Sequence, residues 1–185
     1  MHTRTTTGCS RSFTALAHVA AAAHSSNEFS ASKLQAFNIW IGSIANAMNE
    51  AELERRGIAT VVCAARGLMT VQPCTDDSHT HRYASLELAD SPNQVLVTPE
   101  LDEALAIIDP HGAPVLVFCA QGRSRSVAVV AAALMRRAHM SRAEALDAIY
   151  AVRPSAQINL GFFIQLASLA SAASAAPVDD SSAPR

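Results

Sequence analysis

The chain has 185 residues, half of them apolar, a formal charge of −2 and an isoelectric point near 6.4. That size supports one domain with one well-filled core, and the weakly acidic balance argues against general binding to nucleic acid or anionic membranes, which is built on clustered Lys and Arg. No stretch reaches the roughly 20 apolar residues of a bilayer span; Cys9, Cys63, Cys74 and Cys119 lack metal-ligand spacing and are too sparse for a disulfide scaffold, so a reducing, cytoplasmic setting is expected.

Residues 1–27 contain no Asp or Glu, carry Arg4 and Arg11, and are rich in Thr, Ser and Ala. This suits a flexible or partly helical leader over 1–32, with an organelle transit peptide, as for a mitochondrion, the alternative. "FNIWIG" then reads as a short strand, and "NEAELERRG" as a helix boxed by Asn49 and Glu52 and closed at Gly57. "IATVVCAA" is β-branched and predicts a buried strand, "HRYASLEL" another, with "RGLMTVQPCTDDSHT" a long excursion between them. His79 and His81, beside Asp76 and Asp77, fit no standard metal spacing and are expected to be exposed. Thr98 and Pro99 open a helix to about Asp109. "VLVFC" is a strand delivering Cys119, and "RSVAVVAAALMRRA" a helix apolar nearly all round, hence central and covered. Arg136 and Arg137 near its end suit the helix dipole without a partner. Ser141 and Glu144 box a further helix that ends before Pro154, and Asn159 can cap a last one. The small, polar end, residues 173–185, is expected to be a disordered tail.

Alternating strands and helices imply α/β architecture over residues 33–172: a mainly parallel sheet of four or five strands with helices on both faces. The chemistry concentrates in "CAQGRSRS", residues 119–126. A strand ending in a thiol, a curled loop of Ala120, Gln121, Gly122, Arg123 and Ser124, and Arg125 at a helix N-terminus are the parts for gripping a tetrahedral dianion. Loop amides form a nest, the helix adds its positive end, and guanidinium binds two oxygens at once. The same field favours thiolate at Cys119, making it a nucleophile in its own oxyanion cradle. Ser126 can hydrogen-bond the sulfur and ease its later departure.

C-x5-R followed by Ser, between an apolar strand and a helix, resembles the signature of cysteine-dependent protein phosphatases. "RPSAQINLGFFIQL" and "IWIGSIANAMNEAELERRGIATVVCAA" resemble the closing and opening segments of the dual-specificity branch, so the likeness covers roughly residues 36–172. It implies metal- and cofactor-free hydrolysis of phosphotyrosine, phosphoserine and phosphothreonine monoesters in proteins through a cysteinyl-phosphate. Alternatives are a phosphate-binding pseudophosphatase or a lipid or RNA 5′-phosphatase using the same loop. The resemblance makes Asp90, in "LELADSPNQ", the acid and then base, although Asp also starts turns with Ser91 and Pro92. It makes Asn159 a brace for the loop as well as a cap.

Phe118 departs from the pattern, since the family nearly always has His there to organise the loop and support the low thiol pKa. Complete loss of that tuning would cost about 30-fold in thiolate at pH 7, so a weakened or alkaline-shifted phosphatase is expected. Arg123 faces the pocket mouth in resembling enzymes, where a cation attracts acidic substrates unless a nearby carboxylate pairs with it. Cys63, on a neighbouring strand, could trap an oxidised Cys119 as a disulfide; the simpler reading is a small buried residue.

Overall fold

The computed structural model describes residues 6–8, 10–22, 30–72 and 81–173. The expectations for His79, Asp76, Asp77, Cys9, Cys74 and residues 174–185 lie outside these. The elements run β1 (Thr6–Gly8), β2 (Ser10–Phe13), α1 (Ala15–Ala22), β3 (Ser32–Lys33), β4 (Ile39–Ser43), α2 (Ile44–Met48), α3 (Glu50–Arg55) and β5 (Thr60–Cys63). They continue as β6 (Met69–Gln72), β7 (Arg82–Ser85), α4 (Pro99–Ile107), β8 (Val115–Cys119), α5 (Arg125–Arg137), α6 (Arg142–Val152) and α7 (Leu160–Ala173).

The main sheet has six strands in the order β1-β7-β5-β8-β4-β3. Its four central strands are parallel, and β1 and β3 close the edges antiparallel. The two edges are short pairings that sequence alternation did not show, which is why the strand number exceeds four or five. All of β5 and β8 is buried, as strands covered on both faces must be. Side chains alternate along β8: Val115 and Val117 enter a core with α4, α5, α6 and α7, whereas Leu116 and Phe118 enter a second core with α1, α2 and α3. α5 runs through the first core with Ser126 to Met135 all buried.

Topology places the site. β4 connects to β5 through α2 and α3 on one face, and β7 connects to β8 through α4 on the other. The neighbours β4 and β8 send their chains to opposite faces, into α2 and α5, which leaves a crevice at the carboxyl end of β8, where Cys119 sits.

Several local expectations change. Residues 10–13 of the leader pair with β6 in a two-stranded sheet, so part of the supposed excursion is a strand. Ala17 of α1 is fully buried. His81 is also buried rather than exposed, its Nδ1 2.6 Å from the Ile58 carbonyl and its Nε2 3.4 Å from Glu50. Asn49 caps α3 by accepting from the Glu52 amide at 3.2 Å, and Glu52 turns to Arg55 and Arg56 instead of completing a box. Gly57 takes φ +62°, the left-handed cap that glycine adopts most readily. Arg136 does find a partner, 3.4 Å from Asp102.

Candidate active site

Residues 120–124 curl between β8 and α5, and the loop's shape follows from where its carbonyls go. Ala120 O accepts from the Ile44 amide at 3.3 Å, and Arg123 O from the Gln157 amide at 2.8 Å. Gln121 O and Gly122 O accept from the Arg153 guanidinium at 3.3 and 2.6 Å. With the carbonyls fastened outward, the amides are left for the concave side. Gly122 permits the curl: its φ is +70°, and a Cβ there would lie 2.5 Å from Gly42 O and 2.6 Å from an Arg153 nitrogen.

Arg153 is the functional residue that sequence reasoning missed. It is buried, and it further bonds Ser30 O, Ser32 Oγ and Ile41 O at 3.1 to 3.3 Å, tying loop, edge strand and β4 together. Burial lowers its pKa, opposed by the charge on Cys119.

Cys119 Sγ accepts from the Gly122 amide at 3.2 Å and lies 3.4 Å from Ser126 Oγ. Burial works against ionising this thiol. The Ser126 hydroxyl, the amides of Ser126 and Arg123, and the Arg125 charge outweigh it, so the pKa falls below the ordinary value despite Phe118. Arg125, on the first turn of α5, places its Nε 3.5 Å from Asp90 Oδ2; that Nε has no hydrogen-bond partner, a buried donor left open.

The structure brings Asp90, Ser124 and Asn159 together with these groups. Asp90 Oδ1 accepts from Ser124 Oγ at 2.7 Å and Asn159 Nδ2 at 3.0 Å. Asn159 caps α7 with its other amide atom, accepting from Phe162 N at 2.9 Å, and its backbone amide, not its side chain, reaches the loop at Ser124 Oγ, 3.3 Å away. α7 also pins the loop that carries Asp90. Gln165 accepts from Leu96 N at 2.7 Å and donates to Gln94 O at 2.8 Å, while a Cβ on Gly161 would lie 2.0 Å from Pro92 O.

Arg123 is exposed and donates to Ser155 O at 3.0 Å and Gln157 Oε1 at 2.7 Å. These acceptors are neutral, and no carboxylate pairs with it among the described residues. With Gln121, Gln157, Ile158 and the Asp90–Asn159 pair it borders a cleft of about 330 Å³. Cys63 faces the second core beside Phe118, its strand neighbour. Its thiol donates to Ala65 O at 3.4 Å, and burial pushes its pKa up to about 12. No group of three or more His, Cys, Asp or Glu able to hold a metal occurs among the described residues.

A strand–loop–helix cradle carrying a depressed-pKa cysteine and an arginine six positions on has the geometry to grip a tetrahedral oxyanion. Residues 39–171 match the dual specificity phosphatase catalytic domain, and the chain belongs to that family. Dual specificity protein phosphatase 1 of Arabidopsis thaliana is 31% identical over 134 residues, 71% of this chain but 65% of the relative, just under two thirds. Human dual specificity phosphatase 28 is 33% identical over 138 residues, 70% of this chain and 72% of the relative. A variant of the latter has a crystal structure that superposes with TM-score 0.68 at 28% identity, covering 78% of this chain and 97% of that one. A mouse putative dual specificity phosphatase complexed with zinc tungstate gives TM-score 0.67 at 28% identity, covering 78% and 89%.

Proposed function

We propose that the protein hydrolyses phosphomonoesters on phosphorylated proteins through a cysteinyl-phosphate, acting on phosphotyrosine, phosphoserine and phosphothreonine. The observation that carries this reading is the sulfur of Cys119 seated under inward-turned amides beside Arg125. A phosphoryl group in the cradle meets those amides and the open Arg125 donor, while competing with Asp90 for the guanidinium. The Cys119 thiolate attacks phosphorus. The P–O ester bond breaks as protonated Asp90 gives its proton to the departing oxygen. Asp90, now a carboxylate, takes a proton from water, whose oxygen attacks phosphorus; the S–P bond breaks and inorganic phosphate leaves. The Ser126 hydroxyl receives the returning charge on sulfur.

Tungstate is a tetrahedral oxyanion, and its presence with the mouse relative supports an oxyanion cradle here. Membership of the dual specificity phosphatase family supports phosphoserine and phosphothreonine as substrates beside phosphotyrosine. Arg123 at the rim of the bordering cleft adds a positive charge that favours acidic substrates.

An aryl-phosphate assay tests the reading. Wild type is expected to turn over and to be inhibited by vanadate, Cys119→Ser to be inactive, and Asp90→Ala to be slowed. Phosphopeptide binding without turnover at any pH would make the protein a pseudophosphatase. Preference for a phosphoinositide or an RNA 5′-phosphate over every phosphopeptide would replace the substrate class.

A further inference from the structure

The ring of Phe118 has no hydrogen bond to offer the loop that follows it. Packing fixes it instead: it is fully buried, edge-on to Phe13 with centroids 6.4 Å apart and planes at 65°. Phe13 belongs to the leader, upstream of the residues matched to the phosphatase family. Independent contacts hold the leader on this face. β2 pairs with β6, setting Phe13 opposite Met69. Thr14 gives its amide to Leu68 O at 3.1 Å and its hydroxyl to Gly67 O at 2.7 Å. Ala17 shares the core of Phe118 and Cys119. The Arg11 guanidinium lies 4.5 Å from the Phe13 centroid and 4.7 Å from that of Tyr83, and bonds the Ala47 carbonyl and the Glu50 carboxylate.

We propose that residues 10–22 are a strap that positions the nucleophile: Phe13, acting through Phe118, holds the end of β8 so that Cys119 stays aligned with its loop amides. The physical link is short. Interiors are close-packed, so removing the Phe13 ring leaves space into which Phe118 relaxes. One planar peptide joins Phe118 to Cys119, and hydrogen bonds to sulfur weaken steeply with misalignment. Phe13 is a positioning residue with no contact to the reacting atoms.

The test rests on Cys119 as the reactive thiol, which alkylation reads without any turnover. In the full chain, the iodoacetamide labelling rate of the Cys119 peptide is followed against pH, beside kcat and KM on p-nitrophenyl phosphate. Phe13→Ala is expected to move the labelling midpoint to higher pH, to cut labelling at pH 7 about 3-fold or more, and to lower kcat with KM nearly unchanged. Phe13→Leu, which keeps apolar volume, is expected to lie between it and wild type. Adding Phe13→Ala to Phe118→Ala is expected to add little, because the two act as one unit. Leu105→Ala, in the other core, lowers the melting temperature without moving the midpoint. If Phe13→Ala does not fold, Phe13→Leu must still show the shift. A midpoint in the Phe13 variants no different from that of Leu105→Ala overturns the proposal. Normal labelling with no phosphate turnover overturns the proposed function and leaves the strap standing.

Discussion

Cys119 and Cys63 sit on neighbouring strands and titrate in opposite senses, which gives the fold a readable pH signature. The Cys119 thiol is held below its ordinary value, so thiolate persists as pH falls and is lost only when pH passes the depressed pKa. Its contribution to stability is therefore full above the unfolded value of about 8.5 and fades below it. Cys63 does the reverse: its neutral form favours the fold below about 8.5, and that advantage disappears as pH climbs toward about 12. Replacing Cys119 by Ser is expected to flatten the rise in denaturant midpoint between neutral pH and about 8.5. Ser126→Ala removes the largest influence favouring the thiolate, and is expected to move the acid limb of the pH–rate profile to higher pH. Asp90→Asn is expected to lower kcat by about 10² to 10⁴ on an aryl phosphate, with the protein still folded. Cys119, Arg125 and Ser126 were singled out by spacing and residue type, and Asp90 by the resemblance to the dual-specificity branch; the structure brings the four together. Arg153 was not singled out, since its work is done on carbonyl oxygens, and backbone acceptors leave no mark in a sequence.

At the scale of elements, the site is a junction of β8, α5 and α7, and each joint has a residue that fails if changed. A Cβ on Gly161 would run into Pro92 O, so Gly161→Ala is expected to push the Asp90 loop outward and reduce kcat more than it reduces the melting temperature. Gly122→Ala combines a left-handed backbone, costing about 1–2 kcal/mol, with a close approach to Gly42 O, and is expected to open the cradle. Arg153→Met leaves Gln121, Gly122, Ser30 and Ile41 carbonyls without their donor, at about 1–3 kcal/mol for each one left unsatisfied, and is expected to cost stability and activity together. The long elements were visible from pattern and caps: Thr98, Ser141 and Asn159 each accept from the amide three residues on. β6 and α2 were not. β6 is four residues whose partner strand lies in the leader, and α2 is five residues, too short for a 3.6-residue period to declare itself.

Across the whole molecule, one sheet divides two cores, and the second depends on chain that precedes the phosphatase match. Residues 1–27 are free of Asp and Glu, but composition carries no record of which surface a segment covers. Truncation to residue 30 is expected to uncover Phe118, Tyr83 and the β7 edge, and so to lower the melting temperature and promote aggregation, read by light scattering.

The most direct test of the central claim is mass spectrometry of the Cys119 peptide after rapid quenching of Asp90→Ala with an aryl phosphate. A phosphoryl group on the Cys119 sulfur, appearing with a burst of phenol and absent from Cys119→Ser, is the result expected from a thiolate in an oxyanion cradle. Turnover that survives Cys119→Ser, or a burst with the phosphoryl group on any other residue, would contradict it.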